Sequence, residues 1–289
     1  MTTSPTTPPR PAGPPALPVD PHLAVETDGT LAGLLCAYAE TYKRSALPAS
    51  VGLIGEPASG ALFGDVLRVE TEAAIAGRVE RGLERLVPGL VGRIHRAVLG
   101  ERPGIEVAAL RLADAVRAEG AAAADDWTFE PAREVAQWSG RVGREAHRME
   151  AFVRFERYVA DDAETWVATA RPEYHVLPIL HGHFSPRYPT LAWRIVDARR
   201  GLALVHTPAP ERAEGEPATR IVPAMTLGLG DEAPDEAAYQ RMWRAYFQAV
   251  TIPERRNLAL HLRHVPKRYW PYLTEKQPPG GVRLDAGVG

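Results

Sequence analysis

The chain has 289 residues, of which 45% are hydrophobic and 24% are charged, and its formal net charge is −2. This composition is typical of a globular protein and excludes a chain that is disordered throughout. No stretch approaches the roughly 18 consecutive apolar residues that a membrane-spanning helix needs, so we expect neither an integral membrane protein nor a membrane partner.

The single cysteine excludes several kinds of covalent link and metal site. Cys36 lies in an apolar run with Leu34, Leu35 and Ala37, which predicts a buried and inert thiol. One cysteine cannot form an internal disulfide, hold an iron–sulfur cluster or build a cysteine-rich zinc site. We therefore expect a cytoplasmic protein with no bound cofactor.

The first half of the chain predicts helices around two short strands. Residues 1–22 contain eight prolines and predict a disordered tail without the charged start and apolar core of a signal peptide. A strand is expected over 23–26, and Asp28 is expected to cap a helix that ends near Lys43. The remaining predictions are a strand over 66–70 and helices over 71–86, 88–99, 105–119 and 133–148.

From residue 151 the pattern changes to short strands. Two strands, over 152–158 and 166–169, are expected to pair, and a short helix is expected over 177–183. A hairpin is predicted from strands over 193–196 and 202–205, with Gly201 in its turn. A loop over 207–234 leads to a helix from Asp235. Its apolar face contains Tyr239, Met242, Trp243, Tyr246, Phe247 and Val250.

These elements predict an α+β fold, with a helix-rich N-terminal part followed by a C-terminal part that contains an antiparallel β-hairpin. A doubly wound parallel sheet is disfavoured because strands and helices do not alternate regularly. We expect one domain over 23–276, which permits a subdivision near 150, and a disordered tail over 277–289.

Charge is concentrated near the C-terminus. Residues 241–276 sum to +6, whereas 208–236 sum to −5. A basic segment on a nearly neutral protein predicts an anionic partner for that segment. Arginines outnumber lysines 31 to 3; this ratio suits phosphate binding but also fits a GC-rich genome.

Several residues are candidates for chemistry. His175, His181 and His183 could supply metal ligands if His181 and His183 lay on a strand, but a helix would turn these two rings apart, so no metal site is predicted. Gly228-x-Gly230-x-x-Ala233 resembles a dinucleotide loop only loosely. Asp197 could act as an acid or base, although capping its own turn and pairing with an arginine is the simpler expectation.

Two segments combine aromatic and cationic residues. As a strand, Arg148–Phe155 would place aromatics on one face and charge on the other, as single-strand binders do. The C-terminal segment 252–275 contains Lys267-Arg268-Tyr269-Trp270. Each segment also has a purely structural interpretation. The first could be a half-buried strand with a solvated face, and the second could be a packed helix with a charged exterior.

Six short motifs occur in order within this chain. They are Arg148–Phe155, His183-Phe184-x-x-Arg187, Trp193-x-Ile195-x-Asp197-x-x-Arg200, Trp243-x-x-Tyr246-Phe247, Ile252-x-x-Arg255-x-Asn257 and Pro266-Lys267-Arg268-Tyr269-Trp270-x-x-Leu273-x-Glu275. With Asp28-Gly29-Thr30-Leu31-x-Gly33-Leu34-Leu35, they resemble a bacterial family assigned to DNA metabolism or DNA repair. That family is encoded beside a radical-SAM (radical S-adenosylmethionine) protein and in some species is fused to a uracil-DNA glycosylase. The resemblance spans about residues 24–275.

The resemblance implies a DNA-binding accessory protein of a repair or modification system, with DNA and a nearby-encoded radical-SAM protein as partners. The family carries no established catalytic residues, and this chain has no recognisable glycosylase motif. The arginines and lysine would contact phosphates and the aromatics would stack on bases. The candidate residues are Arg154, Phe155, Arg187, Trp193, Arg199, Arg200, Arg255, Lys267, Arg268, Tyr269 and Trp270.

Two other functions stay open at this point, and the sequence does not decide whether the chain is an enzyme. The first is an enzyme that processes damaged nucleotides or DNA at a site built from His183, Asp197, Asn257 and neighbouring arginines. The second is a protein-interaction scaffold whose aromatic helix over 239–250 docks a partner instead of filling the core.

Overall fold

The computed structural model describes residues 15–55, 64–160, 163–228, 230–250, 262 and 264–277. The chain divides into two compact units, Met1–Val142 and Gly143–Gly289. Helices and strands occur in both units, which confirms the predicted α+β class. In the described part of the chain, no helix is long and apolar enough to cross a membrane.

The first unit contains a three-stranded parallel sheet and a group of helices. Strands β1 (Val19–Thr27), β2 (Leu47–Leu53) and β3 (Asp65–Arg68) lie in the order β2-β1-β3, with both pairings parallel. The helices are α1 (Leu31–Lys43), α2 (Ala73–Leu86), α3 (Leu90–Val98), α4 (Ile105–Glu119) and the start of α5 (Glu130–Phe152). Cys36 is buried, as predicted, and its Sγ lies 3.3 Å from the backbone N of Glu72.

The cap of α1 differs from the prediction by two residues. Thr30 is the N-cap, and its hydroxyl accepts a hydrogen bond from the backbone N–H of Gly33 at 2.9 Å. The Asp28 carboxylate instead accepts hydrogen bonds from the backbone N–H and the hydroxyl of Thr30. Asp28 therefore holds the capping residue in place and does not itself cap the helix.

The second unit is built on a six-stranded sheet in the order β8-β7-β6-β5-β4-β9. All neighbouring strands are antiparallel except β5 and β6, which are parallel. The strands are β4 (Glu156–Ala160), β5 (Ala163–Ala170), β6 (Trp193–Asp197), β7 (Leu202–His206), β8 (Thr219–Pro223) and β9 (Asp231–Glu232). The helices are α6 (Leu177–Arg187) and α7 (Glu236–Val250), followed by 3-10 helices over Lys267–Tyr272 and Thr274–Lys276.

The predicted hairpin is confirmed as β6 and β7. Its register pairs Trp193 with His206 and Asp197 with Leu202. Gly201 has φ 63°, a left-handed conformation that glycine adopts without strain. Asp197 is fully buried and caps the turn, since its Oδ1 accepts the backbone N–H groups of Arg199 and Arg200.

Other predictions were wrong in their bounds. The helix predicted over 133–148 continues to Phe152, and the strand predicted from residue 152 begins only at Glu156, so most of Arg148–Phe155 is not a strand. Glu145 and Met149, one turn apart, are both buried, which keeps the helical period beyond residue 148. Strand β1 begins at Val19, inside the segment predicted as a disordered tail, and β2 was not anticipated. The predicted loop over 207–234 contains β8 and β9, whose edge positions tolerate a composition poor in strand-forming residues.

Gly230 provides a test of how β9 approaches the sheet. A Cβ at Gly230 would lie 2.2 Å from the carbonyl oxygen of Val159 on β4, whereas a Cβ at Gly228 would meet no atom within 4 Å. We expect Gly230→Ala to lower the free energy of unfolding by about 1–3 kcal/mol, as overpacking does. Gly228→Ala is the matched control and should change it by less than about 0.5 kcal/mol. Urea denaturation measures both, and equal effects would contradict the close approach.

Candidate functional site

A recess in the second unit is lined almost entirely by aromatic side chains. Its lining residues are Phe155, Trp166, Tyr188, Leu191 and Trp193, and its volume is about 180 Å³. We call this recess the aromatic pocket. Among the described residues no charged side chain lines it, so its walls favour a flat, uncharged group over an ion.

The register of the sheet explains why two tryptophans meet in the aromatic pocket. Arg157 on β4 is opposite Trp166 on β5, Trp166 is beside Trp193 on β6, and Trp193 is opposite His206 on β7. Side chains at paired positions point to the same face of a sheet. The two indoles therefore stand side by side on one face, although 27 positions separate them in the chain.

Three hydrogen bonds fasten the segment after α6 to this face. The Trp193 indole N–H donates to the Tyr188 carbonyl at 3.3 Å, and Nε2 of His206 lies 3.3 Å from the carbonyl of Pro189. The backbone N–H of Trp166 donates to the carbonyl of Ala192 at 2.9 Å. Tyr188 and Leu191, which line the aromatic pocket, are thus held in position without a ligand.

Ring packing completes the pocket. Trp193 is only 1% exposed and stacks on the ring of His206, with centroids 5.0 Å apart and an interplanar angle of 8°. Phe155 meets Tyr188 edge-on at 6.0 Å and Trp193 at 6.2 Å. Such tilted contacts are the favoured geometry for aromatic pairs, and they fix the rings that line the opening.

The cations near the aromatic pocket differ in how freely they can bind an anion. Arg187, directly before Tyr188, is exposed, and in the described part of the chain its side chain forms no ion pair. Arg157 pairs with Glu164 and Asp235. Arg194 donates to the carbonyl of Gly228 at 2.7 Å. Arg187 is therefore the cation beside the pocket that is best placed to take a phosphate.

A second cluster surrounds the fully buried carboxylate of Glu145 on α5. It accepts hydrogen bonds from the backbone N–H of Glu173 at 2.8 Å, the Arg268 guanidinium at 2.9 Å and the Tyr269 hydroxyl at 2.6 Å. Burial, followed by the hydrogen bond to Glu145, raises the pKa of Tyr269 well above its usual range. We call these four residues the Glu145 cluster.

The Glu145 cluster corrects the roles predicted for two C-terminal residues. Tyr269 is only 2% exposed, so it packs inside the unit and cannot stack on a base in this conformation. Arg268 is partly exposed but binds both Glu145 and Glu173, which occupy its guanidinium. A buried carboxylate needs such partners, which is why this cationic segment folds inward.

Arg154 is likewise engaged within the unit. It forms an ion pair with Glu275 at 2.9 Å, and its guanidinium lies over the ring of Trp243. Burial alone would raise the pKa of Glu275, but hydrogen bonds from Trp243 and Arg154 outweigh it, so the pKa is lowered. The predicted phosphate contact of Arg154 is therefore replaced by a link between the end of α5 and Glu275.

The predicted catalytic residues do not assemble into one site among the described residues. Asp197 is occupied by its own turn and by Arg200, whose Nη1 lies 2.8 Å from Oδ2. His183 lies 3.9 Å from Glu150 and packs edge-on against Phe184. Asn257 lies outside the described residues. Within the described part of the chain, no group of His, Cys, Asp and Glu side chains could hold a metal ion.

The predicted nucleic-acid-binding residues therefore fall into separate groups. Phe155 and Trp193 line the aromatic pocket, while Arg187 and Lys267 are exposed. Arg199 is exposed but donates to the Glu173 carbonyl, and Trp270 is half-buried with its indole N–H on the Val265 carbonyl. Arg255 lies outside the described residues.

Sequence reasoning missed three lining residues of the aromatic pocket: Trp166, Tyr188 and Leu191. Trp166 had a usable signal, since it lies in a predicted strand, but only the parallel pairing of β5 and β6 places it beside Trp193. Tyr188 and Leu191 belong to an irregular segment whose position depends on hydrogen bonds to distant strands. No local pattern predicts such contacts.

The fold and the pocket define an α+β protein of two units, the second of which contains the aromatic pocket. A family model described as a domain of unknown function, DUF4130, matches residues 103–275. This match covers more than half of the chain, and the protein therefore belongs to the DUF4130 family.

Other comparisons add little. No match was found among the curated proteins. A crystal structure of a Methanococcus jannaschii protein, described as a family II inorganic pyrophosphatase, matches with 10% sequence identity over 63% of this chain and 69% of that chain. Its TM-score is 0.20, a value that carries no inference about fold or function.

Substitutions in the Glu145 cluster should lower the stability of the protein. Glu145→Ala leaves the buried Tyr269 hydroxyl without its acceptor and removes the hydrogen bond from the Glu173 backbone N–H, while Arg268 keeps its ion pair with Glu173. The free energy of unfolding should therefore fall by about 2–4 kcal/mol. Tyr269→Phe removes two hydrogen bonds, one that the hydroxyl donates to Glu145 and one that it accepts from Arg268, and should cost about 1–3 kcal/mol. Glu150→Ala, on the same helix but partly exposed, is the control and should cost less than about 1 kcal/mol. Urea denaturation distinguishes these; a Glu145→Ala variant as stable as the control would contradict the role of the cluster.

Proposed function

We propose that this protein is a DNA-binding accessory protein of a DNA repair or base-modification system, acting with a radical-SAM enzyme encoded nearby. The observation that supports it best is the aromatic pocket, since a base of any type can stack on its half-buried rings, Phe155, Trp166 and Tyr188. The motif resemblance to a DNA-metabolism family agrees with this chemistry. The resemblance alone suggests the radical-SAM partner and the link to uracil-DNA glycosylase.

The phosphate contacts are assigned to cations that are free of internal partners. Arg187 lies beside the pocket, and Lys267 is exposed on the C-terminal 3-10 helix; within the described residues neither forms an ion pair. Arg154, Arg157, Arg200 and Arg268 are bound to carboxylates of the same unit. Releasing Arg154, Arg200 or Arg268 would leave a buried carboxylate without its partner, and Arg157 is held by two carboxylates, so we exclude all four from the proposed DNA contacts.

Binding of single-stranded DNA should depend on the aromatic pocket. Base–aromatic stacking contributes about 1–3 kcal/mol per base, so Trp166→Ala should raise Kd roughly 5- to 100-fold. Trp127→Ala is the matched control because Trp127 is 62% exposed in the first unit. Fluorescence anisotropy with a labelled oligonucleotide measures both variants, and circular dichroism checks their folding. Wild-type protein that fails to bind at low salt would overturn the proposal.

The same titration repeated over a salt series tests the cations. Each phosphate contact contributes about 0.7 to the slope of log K against log salt for single strands. An Arg187→Gln/Lys267→Gln variant should therefore bind more weakly and lose roughly 1 to 1.5 of that slope. An Arg78→Gln/Arg81→Gln variant removes two exposed charges from the first unit and serves as the control. Equal slopes for the two variants would remove Arg187 and Lys267 from the interface.

A second function, docking of a protein partner, is favoured by helix α7. Its apolar stripe faces outward: Tyr239 is 54% exposed, Met242 65%, Tyr246 57% and Val250 55%. Glu236 and Phe247 lie on the buried or half-buried side instead. An apolar helical stripe is normally turned toward the core, and an exposed one marks an interaction surface.

The charges beside this stripe indicate the partner's chemistry. Arg241 and Arg244 form no ion pair in the described part of the chain, so they complement an amphipathic helix that carries carboxylates next to its apolar face. We assign this helix to the radical-SAM partner. The assignment makes the protein an adaptor that holds DNA in one place and the enzyme in another.

Charge placed on the stripe should prevent this docking. We expect Met242→Asp/Tyr246→Asp to abolish binding to the purified radical-SAM partner in isothermal titration calorimetry, while single-stranded DNA binding is retained. Ala245→Asp/Gln248→Asp adds the same charge to other exposed positions of α7 and should bind normally. Equal partner affinity of the two variants would exclude α7 as the docking surface.

A further inference from the structure

The aromatic pocket also restricts how DNA can be bound. Proteins that bind a run of single-stranded bases present successive exposed rings along a groove. Here Trp193 is 1% exposed, and the next side chain in its row, His206, is 5% exposed and covered. The stacking surface therefore does not continue across the sheet as an open platform.

The walls of the pocket enclose this surface on several sides. Phe155 comes from the segment before β4, and Tyr188 and Leu191 come from the segment after α6. These side chains are held by edge-on ring contacts and by hydrogen bonds at Tyr188, Pro189 and Ala192. A recess with fixed walls takes one flat ring at a time and excludes a continuous stack of bases.

The chemistry of the lining agrees with a base. Its rings provide stacking. Two lining residues also carry polar groups, the Trp166 indole N–H and the Tyr188 hydroxyl, and neither group has a hydrogen-bond partner among the described residues. An N–H donor and a hydroxyl are groups that bind the polar edge of a nucleobase. The absence of charge from the lining places the phosphates outside the pocket.

We propose that the aromatic pocket binds a single nucleobase extruded from the DNA stack, so that the preferred ligand is duplex DNA with an unpaired base. This inference rests on the proposed DNA binding and names its substrate class. Extruding a base costs the least free energy where that base has no pairing partner. The protein would therefore prefer an unpaired base without recognising the DNA sequence around it. Arg187 would contact a phosphate next to the extruded base.

The test compares three labelled duplexes that differ at one position: fully paired, with a single bulged adenine, and with a tetrahydrofuran abasic residue as the bulge. We expect wild-type protein to bind the bulged adenine about tenfold more tightly than the paired duplex and to lose this gain with the abasic bulge. The abasic duplex keeps the backbone distortion and removes only the ring, so this arm needs no protein variant.

Variants then locate the site. Trp166→Ala should bind the bulged and paired duplexes equally, and Trp166→Phe should restore most of the preference because it keeps a ring. With 2-aminopurine as the bulged base, emission should be quenched on binding by wild type and much less by Trp166→Ala. Trp127→Ala is the control and should behave as wild type.

The outcomes separate the two proposals. Equal affinity for paired and bulged duplexes, with salt-dependent binding intact, would overturn the extruded base and leave DNA binding standing. Equal affinity for adenine and abasic bulges would also overturn it, since the protein would then recognise distortion alone. No binding to any duplex or single strand at low salt would overturn the proposed function itself.

Discussion

The Glu145 carboxylate places a full charge inside the second unit, and much of that unit is arranged to compensate it. A buried carboxylate is costly unless donors surround it, and here they come from the backbone at Glu173 and from Arg268 and Tyr269. The loop before α6 and the C-terminal 3-10 helix are thereby fixed to α5. As a consequence, Arg268 and Tyr269, which belong to the most basic segment of the chain, bind a buried carboxylate and stabilise the fold.

The aromatic pocket also depends on buried polar groups that need hydrogen-bond partners, but here these groups are uncharged. The indole N–H of Trp193 and Nε2 of His206 find hydrogen-bond partners in the carbonyls of Tyr188 and Pro189. Satisfying these polar atoms fixes the segment that carries Tyr188 and Leu191. Because the walls are held before any ligand arrives, little ordering entropy is lost on binding, which favours a specific site over an adaptable surface.

Several arginines of the second unit are used to stabilise its fold. Arg154, Arg157, Arg200 and Arg268 are neutralised by carboxylates of their own unit. Other exposed cations form no ion pair among the described residues; Arg187 and Lys267 are two in the second unit, and Arg78 and Arg81 are two in the first. In the proposed function, DNA occupies the aromatic pocket and nearby cations, while the exposed stripe of α7 is left for a protein partner.

Short-range pattern and composition were enough to predict the α+β class, the hairpin of β6 and β7, the buried thiol of Cys36 and the turn-capping role of Asp197. They also indicated Phe155 and Trp193, but not Trp166, Tyr188 or Leu191. Which aromatics share a pocket, and which cations have carboxylate partners, could be read only from the folded chain, since both depend on strand register and on partners far away in the sequence. In the sequence, Arg268 and Arg187 look equally suited to bind phosphate. In the structure they differ, because Arg268 is bound to the carboxylate of Glu145, which lies 123 positions away in the chain.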